Sequence, residues 1–167
     1  MINILSQSNL TAARVRGFTL IEMLIVLVLI STVMVLAAPS FTSSVKDNRL
    51  RTASSDLYSI IRFARAEAIR EGVTVHVGAV SANRVAVWKD ENSDNALTTE
   101  AALREFLMPS DVTVTATPNV AYLAFDGQGF LTAQQVFLVC DDRSGETGRQ
   151  ITLLVSGLAA MEEKTCP

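Results

Sequence analysis

From Met23 to Val45 the chain has 23 consecutive positions without a charged residue, and a helix needs roughly 20 apolar residues to cross a hydrocarbon core. That run can span a bilayer. The residues ahead of it, 1–17, include Arg14 and Arg16 and no acid, and positive flanks of a single span stay cytoplasmic. Everything after residue 45 is therefore expected on the far side, the oxidising periplasm of a Gram-negative cell. The run also accounts for a composition that is 49% hydrophobic with only 6% aromatic and 19% charged residues. A net charge of −3 gives no global basic field to attract nucleic acid.

Glu22 is the feature that needs explaining. A carboxylate at the edge of hydrocarbon costs on the order of 2.5–3.5 kcal/mol on insertion scales, so it calls for a partner or a task. A secretory signal peptide ending at Val35, Leu36 and Ala37 is the alternative reading of the same segment, but such a peptide has no use for an acid there.

The boundary reads Arg16, Gly17, Phe18, Thr19, Leu20, Ile21, Glu22. Gly17 followed by FTLIEMLIVLVLIS resembles the class III signal of type IV prepilins and type II secretion pseudopilins. The resemblance implies that a prepilin peptidase cuts between Gly17 and Phe18, and that Phe18 becomes N-methylphenylalanine. It also implies that Glu22 faces the positive amino terminus of a neighbouring subunit during assembly, so that two charges costly in lipid neutralise each other.

No glycine lies between Gly17 and Gly72, and Pro39 is the sole proline there, so residues 18–71 read as one nearly continuous helix. Pro39 removes a backbone donor and is expected to kink it. Beyond Val45 the pattern becomes amphipathic: Leu50, Ala53, Leu57, Ile60, Ile61, Ala64 and Ala68 recur at spacings of three and four. Arg49, Arg51, Arg62, Arg65, Glu67 and Arg70 are expected to form the solvated face. Gly72 suits a helix terminator.

From Val73 the period shifts to two. Strands are predicted at 73–80 and 84–89, joined as a hairpin over Ser81, Ala82 and Asn83, and again near 102–108, 111–117, 120–125, 134–140 and 149–155. Asp126, Gly127, Gln128 and Gly129 form a turn. The expected fold is α+β, a long N-terminal helix with a membrane-spanning first half, packed on an antiparallel β-sheet domain. The phrases YLAFDGQGFLTAQQVFLV and GRQITLLVSG resemble the FimT and GspH group of minor pilins and pseudopilins, which implies a type IV pilin-like fold.

Four segments follow: a removable leader (1–17), a transmembrane half-helix (18–45), an amphipathic half-helix (46–72) and a periplasmic β-rich domain (73–167). Cys140 and Cys166 are the only cysteines and both fall outside the cytoplasm, so a disulfide is expected.

Other constellations do not rise to a site. Asp90, Asn92 and Asp94 alternate as in a calcium loop, but Asn95 and Ala101 stand where that motif needs glycine and glutamate; a solvated loop is the expectation. His76 is expected to be exposed on its strand, and Trp88 to be a packing residue or a surface anchor. No nucleophile, base and orienting group come together, so no enzyme, cofactor or metal is expected. Some minor pilins of the group take up DNA through a basic Gly-Arg-x-Arg element. Here Gly148 and Arg149 are followed by Gln150 and Ile151, and loss of Arg14 and Arg16 with the leader moves the net charge from −3 to −5, so DNA binding is disfavoured.

The resemblance thus implies a minor pilin, anchored in the inner membrane, that primes assembly of a type IV pilus with other minor pilins after processing by prepilin peptidase. An H-type pseudopilin of a type II secretion system is the alternative, and a DNA-binding pilin a second one.

Overall fold

In the computed structural model, residues 17–81, 83–91, 95–97 and 100–167 are described. The chain divides into two compact units, Met1–Phe41 and Thr42–Pro167, and helix α1 (Leu20–Glu71) contributes to both.

In the first unit the described chain has no regular structure at Gly17, Phe18 and Thr19 and is helical from Leu20. Residues 20–35 are exposed all round, and the most apolar window of the helix has a mean hydropathy of 2.8. A helix apolar on every side has no preferred face to bury in water, and this one is long and apolar enough to cross a membrane. Two of its polar side chains are satisfied within the helix: Ser31 Oγ and Thr32 Oγ1 donate to the Val28 carbonyl at 2.9 and 2.8 Å.

In the second unit the continuation of α1 buries the expected stripe. Leu50, Ala53, Leu57, Ile60, Ile61, Ala64 and Ala68 are all buried. The small Ala64 and Ala68 and the large Leu57, Ile60 and Ile61 share one core with residues of the strands. Burying each of these large side chains contributes about 1.5–3 kcal/mol. The helix ends at Gly72, whose φ of 67° and amide bond to the Ala68 carbonyl (2.9 Å) close the last turn.

Eight strands follow: β1 (Val75–Ser81), β2 (Arg84–Lys89), β3 (Arg104–Leu107), β4 (Val112–Thr117), β5 (Tyr122–Phe125), β6 (Gln135–Asp141), β7 (Thr147–Leu153) and β8 (Ala159–Thr165). They form two four-stranded sheets, in the orders β3-β2-β1-β5 and β4-β6-β7-β8, and every strand pair is antiparallel. Alternation places Val75, Val77, Val87, Leu123 and Phe125 of one sheet and Val139, Ile151 and Leu153 of the other in a single core with the helix stripe.

The anticipated α+β plan is therefore observed, with two sheets. The seven strands read from the sequence are present with ends shifted by a few residues, and β8 is an addition. The β1–β2 hairpin pairs Ser81 with Arg84; position 82 lies outside the described residues, as do Arg14 and Arg16.

Candidate functional site

Thr19 starts α1. Its carbonyl accepts the Met23 amide at 3.3 Å, and its Oγ1 accepts the Glu22 amide, also at 3.3 Å. A threonine hydroxyl bonded to the amide three residues on is an N-cap, one half of a capping box. Glu22 thus lies in the first turn of the helix, where a negative charge meets the positive end of the helix dipole. Gly17 and Phe18 precede the cap outside regular secondary structure; Phe18 is 73% exposed, and a Cβ added to Gly17 would meet none of the described residues within 4 Å. Among the described residues nothing packs against position 17 closely enough to require glycine there. The helix assignment continues over Pro39, and the division between the two units falls two residues later.

At the start of its second half, α1 carries a set of charges that meet loop residues of the β domain. Arg143 donates to Asp47 Oδ1 at 2.6 Å and through Nε to Asp141 Oδ2 at 2.8 Å. Lys46 binds Asp142 at 2.7 Å and Arg49 reaches Asp111 at 3.3 Å. Burial pushes the Asp141 carboxyl up, but the hydrogen bonds and charge of Arg143, aided by Lys46, outweigh it and hold the group below its usual range. The same hydrogen bonds raise Arg143 further.

The predicted disulfide joins Cys140 at the end of β6 to Cys166. Gly148 of β7 lies against it: a Cβ there would stand 2.5 Å from Cys166 Sγ and 2.5 Å from the Val139 carbonyl oxygen. The Cys166 amide also bonds the Glu146 carbonyl at 2.9 Å, so the C terminus is held twice.

Two residues expected on the solvated face of the helix are not there. Arg65 is half-buried and donates from Nε to the Gly129 carbonyl (3.1 Å) and from Nη2 to the Ser156 carbonyl (2.9 Å). Glu67 is buried and clamped by Arg70, whose Nε donates to it at 3.0 Å; that hydrogen bond keeps its pKa low. Arg49, Arg51, Arg62 and Arg70 are exposed as expected. Sequence reasoning also passed over Tyr58, whose hydroxyl donates to the Ala159 carbonyl at 3.2 Å.

His76 corrects another expectation, being 3% exposed rather than solvated. It pairs with Trp88 and Ala124 across neighbouring strands, on the sheet face opposite Val75 and Val77. Trp88 is a packing residue, itself buried. Of the calcium-like alternation, Asn92 and Asp94 lie outside the described residues, and the Asp90 carboxylate accepts the Asn95 amide at 2.9 Å. Among the described residues no group of three or more His, Cys, Asp or Glu side chains could hold a metal ion.

A cavity of about 420 Å³ lies within the second unit, between β4 and Phe137 of one sheet and β1, β2 and β5 of the other, with Leu57 and Ile61 of the helix at its base. Its lining is mainly apolar, with Ser81, Asn83, Arg84, Thr113, Asn119 and Tyr122 as the polar residues, and among the described residues no acid, histidine or cysteine lines it.

A family model described as "Type II transport protein GspH" matches residues 53–158, and one described as "Prokaryotic N-terminal methylation motif" matches residues 12–38. Among solved structures, the type IV minor pilin FimU of Pseudomonas aeruginosa is similar with a TM-score of 0.61 at 20% identity, over 70% of this chain and 90% of that one. The minor pseudopilin EpsH of the Vibrio cholerae type 2 secretion system gives 0.54 at 11% identity, over 68% and 96% of the two chains. At these identities the likeness is one of fold. No curated protein matches the sequence.

Proposed function

Given that the chain belongs to the GspH family of pilin-like proteins, we propose that it is a minor pilin of a type IV pilus that helps to prime pilus assembly. The observation that carries this reading is a helix exposed and apolar on all sides over residues 20–35, with Glu22 as its one charge, joined to a pilin-like domain. Such a helix is stable in lipid or against other apolar helices, and a filament of like subunits supplies the second surrounding.

In this reading prepilin peptidase cuts between Gly17 and Phe18 and methylates Phe18. The exposed, non-helical chain at those residues suits a protease, and the methylation-motif match over residues 12–38 supports it. Residues 18–45 anchor the processed chain, Pro39 supplies local give where the anchor ends, and residues 46–167 occupy the periplasm. Glu22 then selects axial stagger, because a mispaired neighbour would leave a carboxylate and an amino terminus uncompensated in low dielectric.

The family model's own description, a type II transport protein, favours a second reading, an H-type pseudopilin acting in protein secretion. The closed C-terminal loop at Cys140–Cys166 is more like minor pilins than typical pseudopilins and supports the first. Deletion of the gene, complemented by wild type or by Glu22→Ala, separates the two. The pilus reading expects loss of surface pili with secretion intact, restored by wild type and not by Glu22→Ala. Normal piliation with lost secretion overturns it in favour of the second.

A further inference from the structure

His76 is the only histidine and Trp88 the only tryptophan of the chain, and they are neighbours. The imidazole meets the Trp88 ring edge-on, with centroids 5.6 Å apart, and lies over Tyr122 at 5.0 Å. Its Nδ1 is buried without a hydrogen-bond partner among the described residues and stands 3.7 Å from Asp90 Oδ2, on a side chain only 6% exposed. That oxygen is also the one that accepts the Asn95 amide at 2.9 Å. Asn95 adopts a φ of 59°, a left-handed conformation that a local hydrogen bond helps to hold.

We propose that His76 and Asp90 form a proton-operated latch: uptake of a proton at His76 Nδ1 draws Asp90 Oδ2 into an ion pair and loosens its hold on the Asn95 amide. The chemistry is a simple protonation from solvent, with no bond formed beyond N–H. A charge-assisted N–H···O bond closes at about 2.7–2.9 Å, so the carboxylate needs to move by only about 1 Å. The same oxygen would then serve a cation ahead of a neutral amide, and bonds to charged groups are the stronger. Among the described residues the charged group facing the imidazole is Asp90; Tyr122 is the other titratable side chain against its ring, and Trp88 and Ala124 are uncharged. Burial holds the resting imidazole neutral, its pKa lowered by desolvation against the opposing pull of Asp90.

The test uses the full chain in detergent micelles, followed by NMR from pH 8 to pH 5. With one histidine the imidazole C–H resonances report protonation without assignment ambiguity, and the Asn95 amide reports the latch. The expected result is that both move with one midpoint, below 6.5, while Trp88 emission falls in step. In His76→Gln the Asn95 amide and Trp88 emission stay flat over that range. An Asn95 amide that ignores the imidazole midpoint in wild type, or moves identically in His76→Gln, overturns the proposal. The wild-type comparison needs no variant to fold.

Discussion

Arg65 Nε donates to the carbonyl of Gly129 at 3.1 Å, while its Nη2 reaches the Ser156 carbonyl at 2.9 Å. One helical side chain thereby ties two loops that are far apart in sequence. The loops are themselves in contact: the Leu131 amide bonds the Val155 carbonyl at 2.8 Å. Both loops turn on left-handed glycines, Gly129 at φ 81° and Gly157 at φ 75°.

Arg65→Ala is expected to destabilise the chain by about 1.5–3 kcal/mol, the range for hydrogen bonds to a charged donor. Arg65→Lys should recover only part of this, because an ammonium lacks the planar fork that serves two carbonyls at once. Urea denaturation in detergent checks it, and a loss no greater than that of Arg62→Ala, on the exposed face, would remove the tether from the account.

Gly148→Ala should cost about 1–3 kcal/mol by overpacking, since its Cβ would press on Cys166 Sγ and the Val139 carbonyl and the backbone of a central strand cannot yield. The effect should shrink in Cys140→Ser/Cys166→Ser, where the two sulfur atoms near that Cβ are replaced by smaller oxygens. That double variant alone is expected to lose roughly 3.5 kcal/mol on the loop-entropy model. Thermal unfolding of the three variants gives the comparison.

Acid should act in two windows. Burial keeps the folded-state pKa of His76 below its usual 6.5, with Asp90 only partly opposing, so the unfolded chain takes up the proton first. Stability is then complete above about 6.5 and falls as pH drops through that value toward the folded one. Asp141 is lowered too, but for an acid the lowering favours the charged form: burial pushes up, and Arg143 prevails and holds it below 3.8. Its contribution is present above 3.8 and is lost as pH falls below it. Equilibrium unfolding against pH checks this: His76→Gln should remove the upper window alone and Asp141→Asn the lower.

Ile60→Ala should be the costlier kind of change, about 2–5 kcal/mol, because Ile60 is fully enclosed between helix and sheets. Val33→Ala, on the all-round exposed part of the helix, should leave domain stability unchanged when both are compared by urea denaturation.

The helix stripe was legible because burial on one face of a helix writes itself as spacings of three and four, and all seven stripe residues proved buried. The strands were legible where one face meets the core. β8 was not, because Ala159–Thr165 is an edge strand held mainly by backbone pairing to β7 and is exposed along nearly its whole length, so no alternation marks it. Arg65 and Glu67 were misread for a related reason: the partners that draw Arg65 inward are carbonyls at positions 129 and 156, and a carbonyl has no signature in sequence. His76 looked exposed because its strand neighbours Val75 and Val77 claim the core face; what buries it is an aromatic cluster on the other face. The Thr19 cap was present in the sequence as threonine three residues before glutamate, and the stronger pattern of the apolar run overshadowed it.

The central claim, a processed and membrane-anchored pilin-like subunit, is tested most directly by the intact mass of the protein extracted from membranes. The account predicts a chain beginning at Phe18, heavier by the CH2 that N-methylation adds and lighter by the two hydrogens lost in forming Cys140–Cys166. A chain that retains residues 1–17, or one that begins after Ala37, would contradict it.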